Sequence, residues 1–123
     1  MVKRMLIVAR DRDTRELLAR TFSSQGFQVV TASDGVSGLF QLGLVQPDLV
    51  VLDLNGWETL QRIRVLSDVP IIVLIEDDPR ARIESLNRGA DYYVTKPPCL
   101  KELDAKVRAL LRRDRTKLAG AIA

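Results

Sequence analysis

Residues 47–54 read PDLVVLDL, a turn dipeptide followed by an almost unbroken apolar run that contains one carboxylate, Asp53. A run so short, opened by Pro47-Asp48 and rich in valine and leucine, reads as a strand buried on both faces. Four further runs resemble it: MLIVA at 5–9, FQVV at 27–30, IIVLI at 71–75 and YYV at 92–94. Between them the apolar residues change to helical spacing, with Leu17, Leu18 and Phe22 in the first intervening segment and Ile83, Leu86 and Ala90 in the fourth. After the fifth run, Leu100, Leu103, Val107, Leu110 and Leu111 form one stripe among Lys and Arg. Turn residues punctuate the series at Gln25-Gly26, Asp34-Gly35, Pro47-Asp48 and Arg88-Gly89. Five strand-then-helix units in 123 residues predict an α/β domain whose parallel sheet is covered on both faces, because right-handed crossovers put helices on either side.

Composition narrows the chemistry. Hydrophobic residues make up 46% and charged residues 28%, a balance that fits one globular domain and neither a disordered nor a membrane-embedded chain. No apolar run approaches the roughly 20 residues that span a bilayer. The opening MVKRMLIVARD has no small-residue cleavage pattern, so a cytoplasmic protein is expected. With one cysteine, Cys99, no intrachain disulfide or thiolate metal cluster can form. Histidine is absent, which removes Ser-His and Cys-His catalysis and imidazole metal sites. The net charge of +3 belongs to residues 101–123, where seven Lys or Arg stand against three acids; solvation of a final helix is the ordinary reason for such a run.

In an open α/β sheet, function collects at the carboxyl ends of the strands. These ends are Ala9-Arg10-Asp11, Asp53, Ile75-Glu76 and Thr95-Lys96-Pro97. Asp53 and Lys96 are expected to face each other, carboxylate to ammonium, across a shallow cleft.

Several segments together resemble the receiver domain of two-component response regulators, most closely its OmpR/PhoB-type transcription-factor branch. They are LIV at 6–8 with Asp11 and TRELL at 14–18, VVTASDG at 29–35, PDLVVLDL at 47–54, RIRVLSDVPIIVL at 62–74, RIESLNRGADYYVTKP at 82–97 and KELDAKVRALLRR at 101–113. The resemblance implies a flavodoxin-like (βα)5 doubly wound sheet of strand order 2-1-3-4-5. It also implies a receiver domain over 1–113, with 114–123 a tail or the start of a linker to an output domain. Asp53 stands at the family's phosphoacceptor position, Lys96 at its lysine and Tyr93 at its switch aromatic, and the Lys96-Pro97 peptide is expected to be cis.

Three departures set this chain apart from that pattern. Ala9 and Arg10 replace the paired acids that hold Mg2+, a hard cation that needs oxygen ligands, and Asp11 and Asp13 lie shifted into the loop. Ile75 replaces the hydroxyl residue that bonds the acyl phosphate, and Glu76 adds negative charge beside it. Only Leu54, Asn55 and Gly56 separate Asp53 from Trp57, where the family has a longer loop, so the cleft is expected to close or be remodelled with Trp57 over it. Without a metal, most of the positive charge that stabilises a transferring phosphoryl group is missing. The expectation is therefore a degenerate receiver with no catalytic residues, no enzymatic activity, no resident metal and no cofactor. In it, Asp53 stays unmodified and pairs with Arg10 and Lys96.

The resemblance also implies a symmetric dimer face on helix four, strand five and helix five, bearing Arg82, Asp91, Glu102, Lys106, Arg108 and Arg113. Arg82 with Glu102 and Asp91 with Arg113 match the family's charge pairs, whereas Asn87 and Tyr92 stand where it has acids. The leading expectation is a signalling module that dimerises and regulates an attached DNA-binding output domain. DNA would be reached only through that domain, and a membrane not at all. The alternative is a conventional Mg2+-dependent switch, phosphorylated on Asp53 by a histidine kinase. A flavin or nucleotide binder is disfavoured, since ARDRDTRE after the first strand holds no glycine-rich phosphate loop.

Overall fold

The computed structural model describes residues 2–53 and 55–113 in full; the tail or linker start expected over 114–123 lies outside these described residues. The elements alternate as β1 (Arg4–Ala9), α1 (Arg12–Ser23), β2 (Gln28–Ala32), α2 (Gly35–Val45), β3 (Leu49–Asp53), α3 (Glu58–Leu66), β4 (Ile71–Ile75), α4 (Pro79–Asn87), β5 (Tyr92–Thr95) and α5 (Leu100–Ile122). All strand pairs are parallel and the order is β2-β1-β3-β4-β5. This is the predicted doubly wound sheet, with the order reversing between β1 and β3.

Strand side chains alternate between two cores, as a period of two requires. Met5, Ile7 and Ala9 of β1 join Leu49, Val51, Ile72, Leu74 and Val94 beneath α1 and α5, which contribute Leu18, Phe22, Leu103, Val107 and Leu110. Leu6 and Val8 join Val50, Leu52, Ile71, Val73 and Ile75 beneath α2 and α3, which contribute Leu42, Leu60 and Ile63. Carboxylates start three of the helices. Asp11 accepts from the Thr14 amide at 2.8 Å, Asp34 from the Ser37 amide at 2.7 Å and Asp78 from the Arg80 amide at 3.2 Å, each satisfying a donor that the helix leaves open. Gly89, at φ 114°, turns the chain from α4 into β5 where an L side chain would be strained.

The structure corrects the expectation at four elements, α1, β2, α4 and β5, the last an edge strand on which Tyr92 and Tyr93 are only half-buried. β2 is an edge strand, and Val29 and Val30 are only half-buried, so it is not covered on both faces. Leu17, Ile83 and Leu86 are 46%, 61% and 47% exposed rather than core residues. On α4 the buried contact is Ser85, which turns the Ile83 and Leu86 face outward. Among the described residues, no helix is long and apolar enough to cross a membrane.

Candidate functional site at the carboxyl ends of the strands

The register of the sheet assembles the site. Ala9 lies opposite Asp53 on the neighbouring strand, and Ile75 lies opposite Thr95. Asp53 is buried at the end of β3, and the Lys96 ammonium donates to its Oδ1 at 2.9 Å. Lys96 is aimed by the chain after β5: its amide donates to the Ile75 carbonyl at 2.8 Å, and the peptide to Pro97 is cis. Glu76, which is exposed, reaches the same ammonium at 3.4 Å. Partial burial disfavours the ammonium, but the hydrogen bond and charge of Asp53, and then those of Glu76, outweigh it and raise the Lys96 pKa. The expected carboxylate–ammonium pair is therefore present, with a second acid at its rim.

Arg10 is not part of it. Its side chain is exposed and forms no ion pair with Asp53, so the expectation that both Arg10 and Lys96 hold that carboxylate is corrected to Lys96 alone. At the end of β1 it is Arg15 that bonds, donating to the Ala9 carbonyl at 2.9 Å and to the Arg10 carbonyl at 3.3 Å.

The side chains do not fit the Mg2+ ion that the family pattern implies. Ala9, next to Asp53, offers no side-chain oxygen. Asp11 spends Oδ2 on the Thr14 amide and on the Thr14 hydroxyl at 2.7 Å, bonds that hold its pKa below the ordinary carboxylate value. Asp13 sits in the first turn of α1. Among the described residues, no group of three or more His, Cys, Asp or Glu is placed to hold a metal ion. Mg2+ takes one or two carboxylates beside its waters, and the end of β1 adds no side-chain oxygen to Asp53, which Lys96 already bonds, so no step through a metal follows from this donor set.

Beside the ion pair, of the two expected outcomes for the shortened loop, closure or remodelling of the cleft, the structure shows an open cleft. A cavity of about 220 Å3 is lined by Asn55, Gly56, Trp57, Ile75, Glu76 and Lys96 over a floor that includes Leu60 and Val73. Trp57 forms part of its wall and precedes α3, and its ring packs with the same apolar cluster as Ile75 and Tyr93. The hydroxyl expected of a phosphate-responsive strand end is thus replaced by hydrocarbon that belongs to the core. Tyr93 is half-buried; Lys106 donates to its carbonyl at 2.6 Å and stands 5.1 Å from its ring centre.

The residues expected on a dimer face carry partners within the chain. Arg82 lies 3.9 Å from Asp77, Glu102 pairs with Lys106 at 3.0 Å, and Arg108 pairs with Asp104 at 3.1 Å. Asp91 meets Arg113 at 3.2 Å and also anchors the neighbouring strand. Its Oδ2 accepts from the Ile71 amide and from Arg64, both at 2.8 Å. Arg64 further donates to the Gly89 and Val69 carbonyls at 2.8 and 2.6 Å. Sequence reasoning missed Arg64 because two of its partners, Gly89 and Asp91, lie 25 and 27 residues away and no spacing announces them. Cys99 is an exposed free thiol just before α5.

Comparison with known proteins agrees with this geometry. The family model described as "Response regulator receiver domain" matches residues 5–108. The chain is 44% identical over 117 residues to a protein of Cyanophora paradoxa named "Probable transcriptional regulator ycf27", covering 90% of this chain and 49% of that protein. It is 42% identical over 127 residues to the response regulator MprA of Mycobacterium bovis (strain BCG / Pasteur 1173P2), covering 98% and 55%. Among solved structures, the receiver domain of the Francisella response regulator 1452 superposes with a TM-score of 0.84 at 28% identity, covering 91% of this chain and 98% of that one. The chain thus spans about half the length of the curated relatives it matches. From its strand order, its Asp53–Lys96 pair and these matches, the chain belongs to the response regulator receiver domains of two-component systems.

Proposed function

We propose that this receiver domain is atypical and works without aspartyl phosphorylation, regulating an attached transcriptional output domain through dimerisation or other protein contacts. The observation that carries this reading is the end of β1: alanine stands opposite Asp53, the exposed Arg10 forms no ion pair with it, and Lys96 already pairs with the carboxylate. Phosphoryl transfer to a carboxylate depends on dense positive charge around the transferring oxygens, and one lysine shared between Asp53 and Glu76 supplies little of it. The names of the relatives, a transcriptional regulator and a response regulator, support an output domain that acts on transcription. The face of α4, β5 and α5 supports a two-fold contact, since exposed Ile83 and Leu86 give it an apolar centre beside charged neighbours. Such a face would sort partners more than tighten them, because exposed ion pairs contribute little.

The second reading, a conventional switch phosphorylated by a histidine kinase, is favoured by one observation: Asp53 at the end of β3 and Lys96 bonded to it keep the arrangement expected of a phosphoacceptor site. Intact mass after incubation with Mg2+ and a small-molecule phosphodonor separates the two. The unmodified mass is expected for both the wild type and Asp53→Ala. An adduct on the wild type that the substitution removes would establish the conventional switch.

A further inference from the structure

The outward side of α2 is built the wrong way round for a surface helix. Its exposed residues are Val36, Phe40, Gly43 and Leu44, with the three large side chains 79%, 68% and 69% exposed. Its inward side is also apolar, with Gly38 and Leu42 buried. No Asp, Glu, Lys or Arg occurs from Gly35 to Pro47, in a chain where 28% of residues are charged. A helix that is apolar all round is a helix that something covers.

We propose that this face is covered by the same face of a second copy, with the two α2 helices packed antiparallel about a two-fold axis at Phe40. Two features select a copy over a partner of different surface. The first is charge: a covering surface that carried ions would strand them against a helix with none to pair, whereas α2 itself is a matching charge-free surface. The second is symmetry. Val36, Phe40 and Leu44 stand one turn apart, so reversing the helix about Phe40 superposes the stripe on itself and sets each Val36 against the other copy's Leu44. Gly43 leaves open space where a side chain would stand, and with Leu66 and Pro47 it borders a groove that receives the opposing Val36.

The area sets the strength. Val36, Phe40, Leu44 and Leu66, itself 68% exposed, bring roughly 100 Å2 each, so the pair buries about 800 Å2 in all. That is below the standard interface of about 1,200–2,000 Å2, and it implies a dimer that forms only at high concentration or when another contact holds two copies close. The surface lies over β1 and β2, away from α4 and β5, and is distinct from the dimer face named above.

Sedimentation velocity of the 123-residue chain from about 10 μM to about 1 mM, a range chosen for an interface of this size, tests the proposal. Association that Phe40→Glu weakens by about 30-fold or more, while circular dichroism stays unchanged and Ile83→Glu still associates, is the expected result. A wild type that passes beyond dimers, with each substitution stopping it at dimers, supports the same face. Val36→Glu and Leu44→Arg should each abolish the contact alone and restore it together, since the antiparallel register sets the two introduced charges against each other across the axis. A wild type that is monomeric throughout, association lost only in Ile83→Glu, or no rescue in the paired variant would overturn the proposal. None of these outcomes depends on whether Asp53 accepts a phosphoryl group.

Discussion

Lys96 carries more of the site than any other described residue, because its ammonium bonds the buried Asp53 carboxylate. Replacing it with methionine leaves the Asp53 oxygens buried without their donor, a loss of about 1–3 kcal/mol. A shift of the urea midpoint to lower concentration should register this. Lys96→Met combined with Asp53→Leu should recover most of the loss, because removing both partners of a buried pair leaves no stranded charge. If the paired variant is as weak as the single one, the ion pair is not what Lys96 contributes. This pair was legible in the sequence, since both residues end strands that the apolar runs define. Arg10 was not, because a side chain in a strand-to-helix loop has no periodicity to fix its direction, and here it turns to solvent. Arg64 was invisible for a related reason: its carbonyl and carboxylate partners are brought to it only by the packing of α3 against the α4–β5 turn.

Two glycines within α2 show how an element divides its positions between inside and outside. At Gly38 a Cβ would stand 3.0 and 3.1 Å from the two methyl carbons of Val8, the last residue but one of β1. Gly38→Val should therefore overpack the core and cost about 1–3 kcal/mol. At Gly43 a Cβ meets nothing within 4 Å, so Gly43→Ala should stabilise the isolated chain by about 0.5–1 kcal/mol through helix propensity. Thermal melts at low protein concentration check both, and equal effects at the two positions would contradict the placement of α2. The elements themselves were readable from apolar runs and turn residues, and β4 agrees to the residue. The faces of the helices were less so. Helical spacing at Ile83 and Leu86 reads as core, but α4 rests on Ser85 and leaves that spacing outside.

For the whole molecule, charge chemistry predicts a broad stability plateau. The chain has no histidine, the side chain whose ordinary pKa falls near 6.5. Thr14 holds the Asp11 pKa below 3.8, and Ser37 does the same for Asp34. A depressed carboxylate stabilises the fold above its unfolded value, and that contribution is lost as pH falls through the folded one. Lys96 works in the opposite sense. Its pKa is raised above 10.5, so its contribution is complete below that value and disappears as pH climbs through the folded one. Melting temperatures should stay nearly constant from about pH 5.5 to about pH 9 and fall on both sides. A steep change near neutrality would show that another group titrates with folding. At this scale the doubly wound sheet was legible from the alternation of elements, because handedness leaves few ways to connect parallel strands. The bare outer face of α2 was not, since its apolar residues look like core until the structure shows which side β1 and β2 occupy.

The position of Trp57 has a practical consequence. It is the chain's only tryptophan, and it forms part of the wall of the cavity that also holds Lys96 and Ile75. Excitation of the indole therefore interrogates one place in the molecule, the neighbourhood of Asp53, without a label and without altering a residue. Emission wavelength, quenching and anisotropy of this intrinsic fluorophore convert any change at the strand ends into an optical signal.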